Sequence, residues 1–268
     1  MEAQDARPPR ALVRVGLDSD GVAVVALDDP STRNSLSDAM LDELIDALSA
    51  LQHDDAARVV VITSSHPGIF SSGGNLKAFA DTRPVMEKYA GLSRFPRLFA
   101  LLGNLGKPVI CAANGDVIAG AFGIALACDL IIAKRSVRFG CPEIKVGVFP
   151  FMVSALLRRT VGRLKANEFM LLGNLVAAEE CQRLGIVNAL VDDADFDATV
   201  RDWACRLADS SPLLMKLGKD AVAVTADLPL EIAYAVLQAQ LALAFTTDDL
   251  AEGVAAFMDK RRPVWQSK

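Results

Sequence analysis

The chain is poor in residues that hold metals or form covalent staples. Only two histidines, His53 and His66, occur among 268 residues, and no Cys-x-x-Cys pair exists. The five cysteines, Cys111, Cys128, Cys141, Cys181 and Cys205, are widely scattered in apolar surroundings. No metal site is therefore expected. Separated thiols in odd number fit reduced, buried side chains and a cytoplasmic setting. The sequence also lacks Gly-Lys-Ser/Thr, Gly-x-Ser-x-Gly and Gly-x-Gly-x-x-Gly. Phosphate-loop, serine-hydrolase and dinucleotide readings thus lose their usual signatures. Basic charge is not in excess: 28 Lys and Arg stand against 33 Asp and Glu, for a net charge of −5. That balance argues against nucleic acid as a partner. No uncharged apolar run reaches the roughly 18 residues of a spanning helix, so no membrane role is expected. MEAQDARPPR at the start has no apolar stretch of the leader type and reads as a frayed tail over 1–10.

What is present is a large apolar complement: 52% hydrophobic residues with 23% charged. This suits one substantial globular domain, or one domain with an appendage. ALVRVGL (11–17) and GVAVVAL (21–27) read as strands about a turn at Asp18–Asp20. Leu36, Met40, Leu41, Leu44, Ile45 and Leu48 recur at helical spacing, with Ser37 as N-cap. VVVIT (59–63), PVICAA (108–113) and DLIIAK (129–134) read as further strands, with a helical stretch around 84–104 between the first two. Strands alternating with helices predict a mixed or parallel α/β layer. From about 154 the patterns become amphipathic and helical, apart from a strand at 186–191, and no sequence repeat is visible. A core over 1–200 and a helical region over 201–268 are the expected divisions.

Two glycine-bearing turns stand out, FSSGGNLKAF (70–79) and NGDVIAGAFGIALACD (114–129). Each follows an apolar strand and is expected to lead into a helix. Amides at the start of a helix have no internal partner. Two such turns aimed at one point could therefore hold a developing negative oxygen. Alternatively, the small residues of GAFGIALA simply let a buried helix approach a sheet closely. Glu143, in the mostly apolar FGCPEIKVGVFPFM, is either a carboxylate with a raised pKa suited to proton transfer or a loop glutamate steadied by Lys145 or Arg138. Asp116 either caps the helix turn or projects into a cavity. His66, Ser71 and Ser72 have no triad context, and His66 reads as a turn residue.

Five segments in order resemble the crotonase superfamily, the enoyl-CoA hydratase/isomerase family, over about 12–265. They are DDPSTRNSLS, FSSGGNLKAF, NGDVIAGAFGIALACDLIIA, FGCPEIKVGVFP and AFTTDDLAEGVAAFMDKRRPVW. The resemblance implies an α/β fold, a crotonase-like spiral of repeated ββα units with a helical C-terminal trimerisation region. It implies a homotrimer or dimer of trimers, and an acyl-CoA thioester as substrate. No separate cofactor is implied, since coenzyme A is part of the substrate. By position the enolate-stabilising amides fall on Gly74 and Gly120, and the catalytic carboxylate on Glu143. Arg33, Ser35, Leu36, Gly73, Asn75, Leu76 and Lys77 are implied to contact substrate or CoA, with Phe149 in the acyl pocket. Phe257 and Lys260 are implied to come from a neighbouring subunit; for Phe149 and Phe151 ordinary core packing is the alternative.

The chain also departs from the family pattern. Asn75 replaces an aspartate, Ala-Gly-Ala at 119–121 replaces three glycines, and Gly123 stands where hydratases of the family carry a second glutamate. A single glutamate favours enoyl-CoA isomerisation or a specialised hydration. A catalytically weak acyl-CoA-binding homologue, and a crotonase-type decarboxylase or thioesterase, remain as alternatives.

Overall fold

After an opening hairpin, the chain lays its strands down alternately in two sheets. The computed structural model describes residues 11–75, 82 and 84–268. Val13–Leu17 (β1) and Val22–Leu27 (β2) pair antiparallel. Val59–Ser64 (β3), Val109–Ala113 (β5), Leu130–Lys134 (β7) and Ala189–Val191 (β10) extend them in parallel, giving a six-stranded sheet ordered β1-β2-β3-β5-β7-β10. The strands between these in sequence build a second sheet. Gly68–Ser71 (β4), Gly115–Ile118 (β6), Arg138–Gly140 (β8) and Leu175–Ala177 (β9) stand in the order β4-β6-β8-β9, the first three parallel and the last antiparallel. Two strands followed by a helical connection thus recur in structure, although no repeat is visible in sequence.

The expected helices form where apolar spacing demands. Asp38–Gln52 (α1) buries Met40, Leu41, Leu44, Ile45, Leu48 and Leu51. Each such side chain contributes on the order of 2 kcal/mol by leaving water. Ser37 Oγ accepts from Met40 N–H, capping the first turn. The stretch around 84–104 is two helices, Val85–Leu92 (α2) and Arg94–Gly103 (α3), meeting at Ser93. Gly120–Ala127 (α4) carries no charge and is buried from Ala121 to Ala125, as a helix apolar on every face should be. Its Phe122 meets Phe139 and Phe169 at centroid distances of 5.6 and 5.7 Å. Phe151–Leu172 (α5) is broken at Gly162, whose φ of 75° is non-helical. Ala178–Arg183 (α6), Phe196–Ala208 (α7), Pro212–Thr225 (α8), Leu230–Ala244 (α9) and Asp248–Met258 (α10) complete the chain. The helical region begins at Phe196, so the division expected at 200 falls inside α7, and the expected tail 1–10 lies outside the described residues.

Among the bonds that hold residues 29–36 in place, three come from one side chain, which ties the loop to both sheets. Asn34 is buried with φ of 53°, a left-handed conformation that asparagine tolerates better than most residues. Its Nδ2 donates to Ser64 Oγ at 2.7 Å and to the Phe70 carbonyl at 3.0 Å. Its Oδ1 accepts from Asp29 N–H at 2.7 Å. Asn34→Ala removes all three bonds and leaves a methyl group at positive φ without polar compensation. It should cost about 3 kcal/mol in urea unfolding at unchanged m-value; a loss below about 1 kcal/mol would show that the loop is held otherwise.

Candidate active site

Three neighbouring parallel strands end side by side, and each delivers one part of the site. β4 runs into Ser72–Gly74, β6 into Ala119 and Gly120, and β8 into Cys141–Glu143. Parallel pairing brings carboxyl ends together, the position at which open α/β sheets bind ligands. The ladder continues past the strands: Ala119 N–H donates to the Gly140 carbonyl at 2.8 Å. The two glycine turns therefore do not follow the long strands directly, as expected from sequence. A short strand of the second sheet intervenes in each case, because residues 68–71 pair with residues 115–118, which pair in turn with β8. The second turn leads into α4, whereas the helix expected after the first turn falls on residues outside those described.

The orientation of two amides is set by their carbonyls. No peptide bond in the described chain is cis, so the C=O and N–H of one peptide unit point in opposite directions. The Gly73 carbonyl accepts from Leu36 N–H at 2.8 Å, which turns Gly74 N–H away from Leu36. The Ala119 carbonyl accepts from Phe122 N–H at 2.8 Å, which turns Gly120 N–H out of the first turn of α4. Among the described residues neither amide has an acceptor. Gly74 and Gly120 line the same cavity of about 470 Å³. The two loops also touch: a Cβ at Gly73, where φ is 86°, would lie 2.5 Å from Ala119 Cβ. Ala119 itself has φ 57° and ψ −126°, a conformation costly for any residue with a side chain.

Glu143 lines the same cavity, in the single turn Pro142–Val146. Its Oε2 is buried without a hydrogen-bond partner, and burial raises its pKa to about 7. Neither cation weighed as its partner holds it. Arg138 instead pairs with Asp116, whose Oδ1 also accepts Arg138 N–H at 2.9 Å. Asp116 consequently neither caps α4 nor lines the cavity: it ties β6 to β8. Cys141, two residues before Glu143, is fully buried, and burial pushes its thiol far above the ordinary range, so it is inert as a nucleophile.

Of the other predicted residues, Phe149 lines the cavity and meets Phe151, which also lines it, in a tilted ring contact with 5.3 Å between centroids. Leu36 is buried, bridges Gly74, and reaches the Gly120 backbone with its side chain. Ser35 and Arg33 are on the adjoining loop, where the Arg33 carbonyl accepts from Ser72 N–H at 3.0 Å. Asn75 is half-buried just beyond Gly74, while Leu76 and Lys77 lie outside the described residues. Phe257 is 82% exposed, and neither it nor Lys260 lines the cavity of its own chain. Ser71 is occupied structurally, its Oγ donating to the Asn34 carbonyl and accepting from Gly73 N–H. His66 is a half-buried turn residue that does not line the cavity. Sequence reasoning missed Phe95, which lines the cavity, and Phe99 behind it. The available signal was the pair of glycines at 120 and 123, small residues one helical turn apart that require large neighbours.

Fold and site together define an α/β protein whose cavity gathers two acceptor-free amides and one buried carboxylate, and likeness to known proteins names the family. Residues 18–268 match the family model described as enoyl-CoA hydratase/isomerase. A Thermus thermophilus protein with an enoyl-CoA hydratase assignment is 35% identical over 245 residues, covering 90% of this chain and 96% of its own. The crotonyl-CoA hydratase of Syntrophomonas wolfei is 30% identical over 248 residues, with 92% and 95% covered. The crystal structure of an enoyl-CoA hydratase from Mycobacterium smegmatis matches with a TM-score of 0.91 at 29% identity, over 96% of this chain and 99% of that one. The chain belongs to the enoyl-CoA hydratase/isomerase family of the crotonase superfamily, whose enzymes act on acyl-CoA.

This geometry makes two measurable demands. Ala119→Gly should stabilise the protein, because roughly 1–3 kcal/mol of backbone strain outweighs the 0.5–1 kcal/mol entropic cost of glycine. A rise of a few degrees in melting temperature is expected, and a fall would show that the Ala119 methyl is needed for packing. Glu143 binds its proton more tightly folded than unfolded, so between about pH 4.5 and 7 stability should fall as pH rises. Glu143→Gln lacks this contribution. Its melting-temperature advantage over the parent should grow from pH 5 to 7 and then level off; a constant difference would place Glu143 in water.

Proposed function

We propose that the chain is an enoyl-CoA isomerase that moves a double bond between the 3,4 and 2,3 positions of an acyl-CoA thioester. The observation that carries this reading is the solitary carboxylate: among the described residues, Glu143 is the only acid lining a cavity whose walls are otherwise almost wholly apolar. Hydration must also hold and deprotonate a water, work that two carboxylates share readily. Double-bond migration needs one base that removes a proton and returns it nearby.

In this mechanism the thioester oxygen accepts from Gly74 N–H and Gly120 N–H. Glu143 as carboxylate removes a proton from C2, and the C2–H electron pair becomes the new C2=C3 bond. The former C3=C4 pair takes the proton back from Glu143 at C4. Negative charge resides on the thioester oxygen between the two transfers. Fixed donors there need no reorganisation, and losing one such donor typically costs about 3 kcal/mol. Apolar walls strengthen both interactions by excluding water. A pKa of about 7 lets Glu143 both accept and return the proton near neutrality. We propose a homotrimer or dimer of trimers as the working assembly: Phe257 and Lys260, which the family resemblance assigns to the CoA site, do not line the cavity of their own chain, and Phe257 is exposed there.

The test is a mass-spectrometric product screen over 2-enoyl-, 3-enoyl- and malonyl-type CoA esters. An isobaric product from 3-enoyl-CoA is expected; gain of water alone, loss of carbon dioxide, or no product would overturn the proposal. Glu143→Gln should lower turnover at least about a hundredfold while retaining CoA-ester binding. In the parent, kcat/KM should rise tenfold per pH unit up to about pH 7 and be flat above, because the ionised form is the base.

A further inference from the structure

Beside and behind the cavity, two phenyl rings are seated on two glycines, and the first ring and the first glycine line it. Gly120 and Gly123 lie on one face of α4, one turn apart, and Phe95 and Phe99 lie one turn apart on α3. A Cβ at Gly120 would lie 2.7 Å from Phe95 Cε1, and one at Gly123 would collide with Phe99 Cζ and stand 3.0 Å from its Cε2. The rings also brace each other edge to face, with centroids 6.1 Å apart. Phe95 lines the cavity, whereas Gly123 is wholly covered and does not. The consequence is steric. Position 123 lies on the same face of α4 as Gly120, one turn further on, and is the position at which the family resemblance places the hydratases' second glutamate. No side chain fits there while the Phe99 ring is in place.

We propose that Phe99 is the specificity-determining residue of this site: its ring occupies the volume that a carboxylate at position 123, or a water held there, would need. The site is thereby confined to one-base chemistry, and the acyl substrate to groups that are apolar at C3 and C4. This rests on the isomerase reading above and assigns its specificity to a residue outside the cavity lining. Water addition would place hydroxyl on C3 and a proton on C2 and consume the double bond. With Phe99 in place nothing at position 123 holds the water for that addition. Phe99 acts by exclusion and does not itself touch the reacting atoms.

The experiment compares the parent with Gly123→Glu, Phe99→Ala and the Phe99→Ala/Gly123→Glu double variant, using 2-enoyl- and 3-enoyl-CoA in oxygen-labelled water. The double variant should raise the ratio of labelled 3-hydroxyacyl product to isomer at least about tenfold, a modest fraction of what an added general base supplies. Gly123→Glu alone should melt lower than the parent and show no such rise. A stable Gly123→Glu that hydrates as well as the double variant would overturn the proposal, as would a folded double variant with an unchanged ratio. If the double variant does not fold, a smaller pair decides. Gly123→Ala should lower the melting temperature by roughly 5 °C through overpacking, and adding Phe99→Leu should restore it; no restoration overturns the proposal. A parent inactive on all enoyl-CoA esters would instead count against the isomerase reading, while the melting comparison would still judge the ring–glycine pair.

Discussion

The site depends on a parallel ladder of three very short strands. β4, β6 and β8 are three or four residues each, yet their common direction places two amides and one carboxylate around a single cavity. So short a ladder supplies few backbone bonds of its own. It is reinforced where β6 meets β8 by the Asp116–Arg138 pair, and from behind by the Phe122, Phe139 and Phe169 rings. On the other flank Asn34 and Ser71 bind the 29–36 loop to β4. Polar and apolar devices converge on the same few residues, and they fix the spacing between the two amides and the carboxylate.

Within that frame the polarity of the cavity is concentrated at Gly74, Gly120 and Glu143. Among the described residues, two amides lack acceptors and one buried carboxylate oxygen lacks a donor, while the surrounding walls are apolar apart from Ser72 and Lys145. Such an arrangement is unfavourable for the empty protein: burial destabilises ionised Glu143, and Ala119 stores strain in the turn that aims Gly120 N–H. The strain has a specific source in the sequence, since alanine occupies a position where φ of 57° suits glycine. Rigid packing of Gly73 against Ala119 keeps that turn from relaxing.

The large sheet was legible in sequence and the small one was not. VVVIT and PVICAA are long enough and apolar enough to announce buried strands, and α1 repeats its apolar residues with a capping serine. GIFS, GDVI and RFG have no such pattern. They are too short for periodicity, contain glycine, and become strands only because their neighbours in space are strands. Residue chemistry alone left the glycine turns and Glu143 with structural alternatives; the resemblance singled out Gly74, Gly120 and Glu143, and these three residues line one cavity. Asp116 was ambiguous because its partner, Arg138, lies 22 residues away and is fixed by sheet pairing alone. Phe99 was invisible because its meaning belongs to Gly123, across a helix–helix contact.

The alternation of strands between two sheets has a kinetic corollary. Each of the three site segments comes from a different turn of the chain, and the residues between them build the large sheet. Local folding of any one stretch therefore assembles no part of the catalytic geometry. The amides and the carboxylate meet only after parallel pairings that span scores of residues are complete, and such non-local closures are slow. Catalytic competence in this chain is accordingly a property acquired last, and its return after denaturation reports completion of the whole spiral rather than recovery of helix.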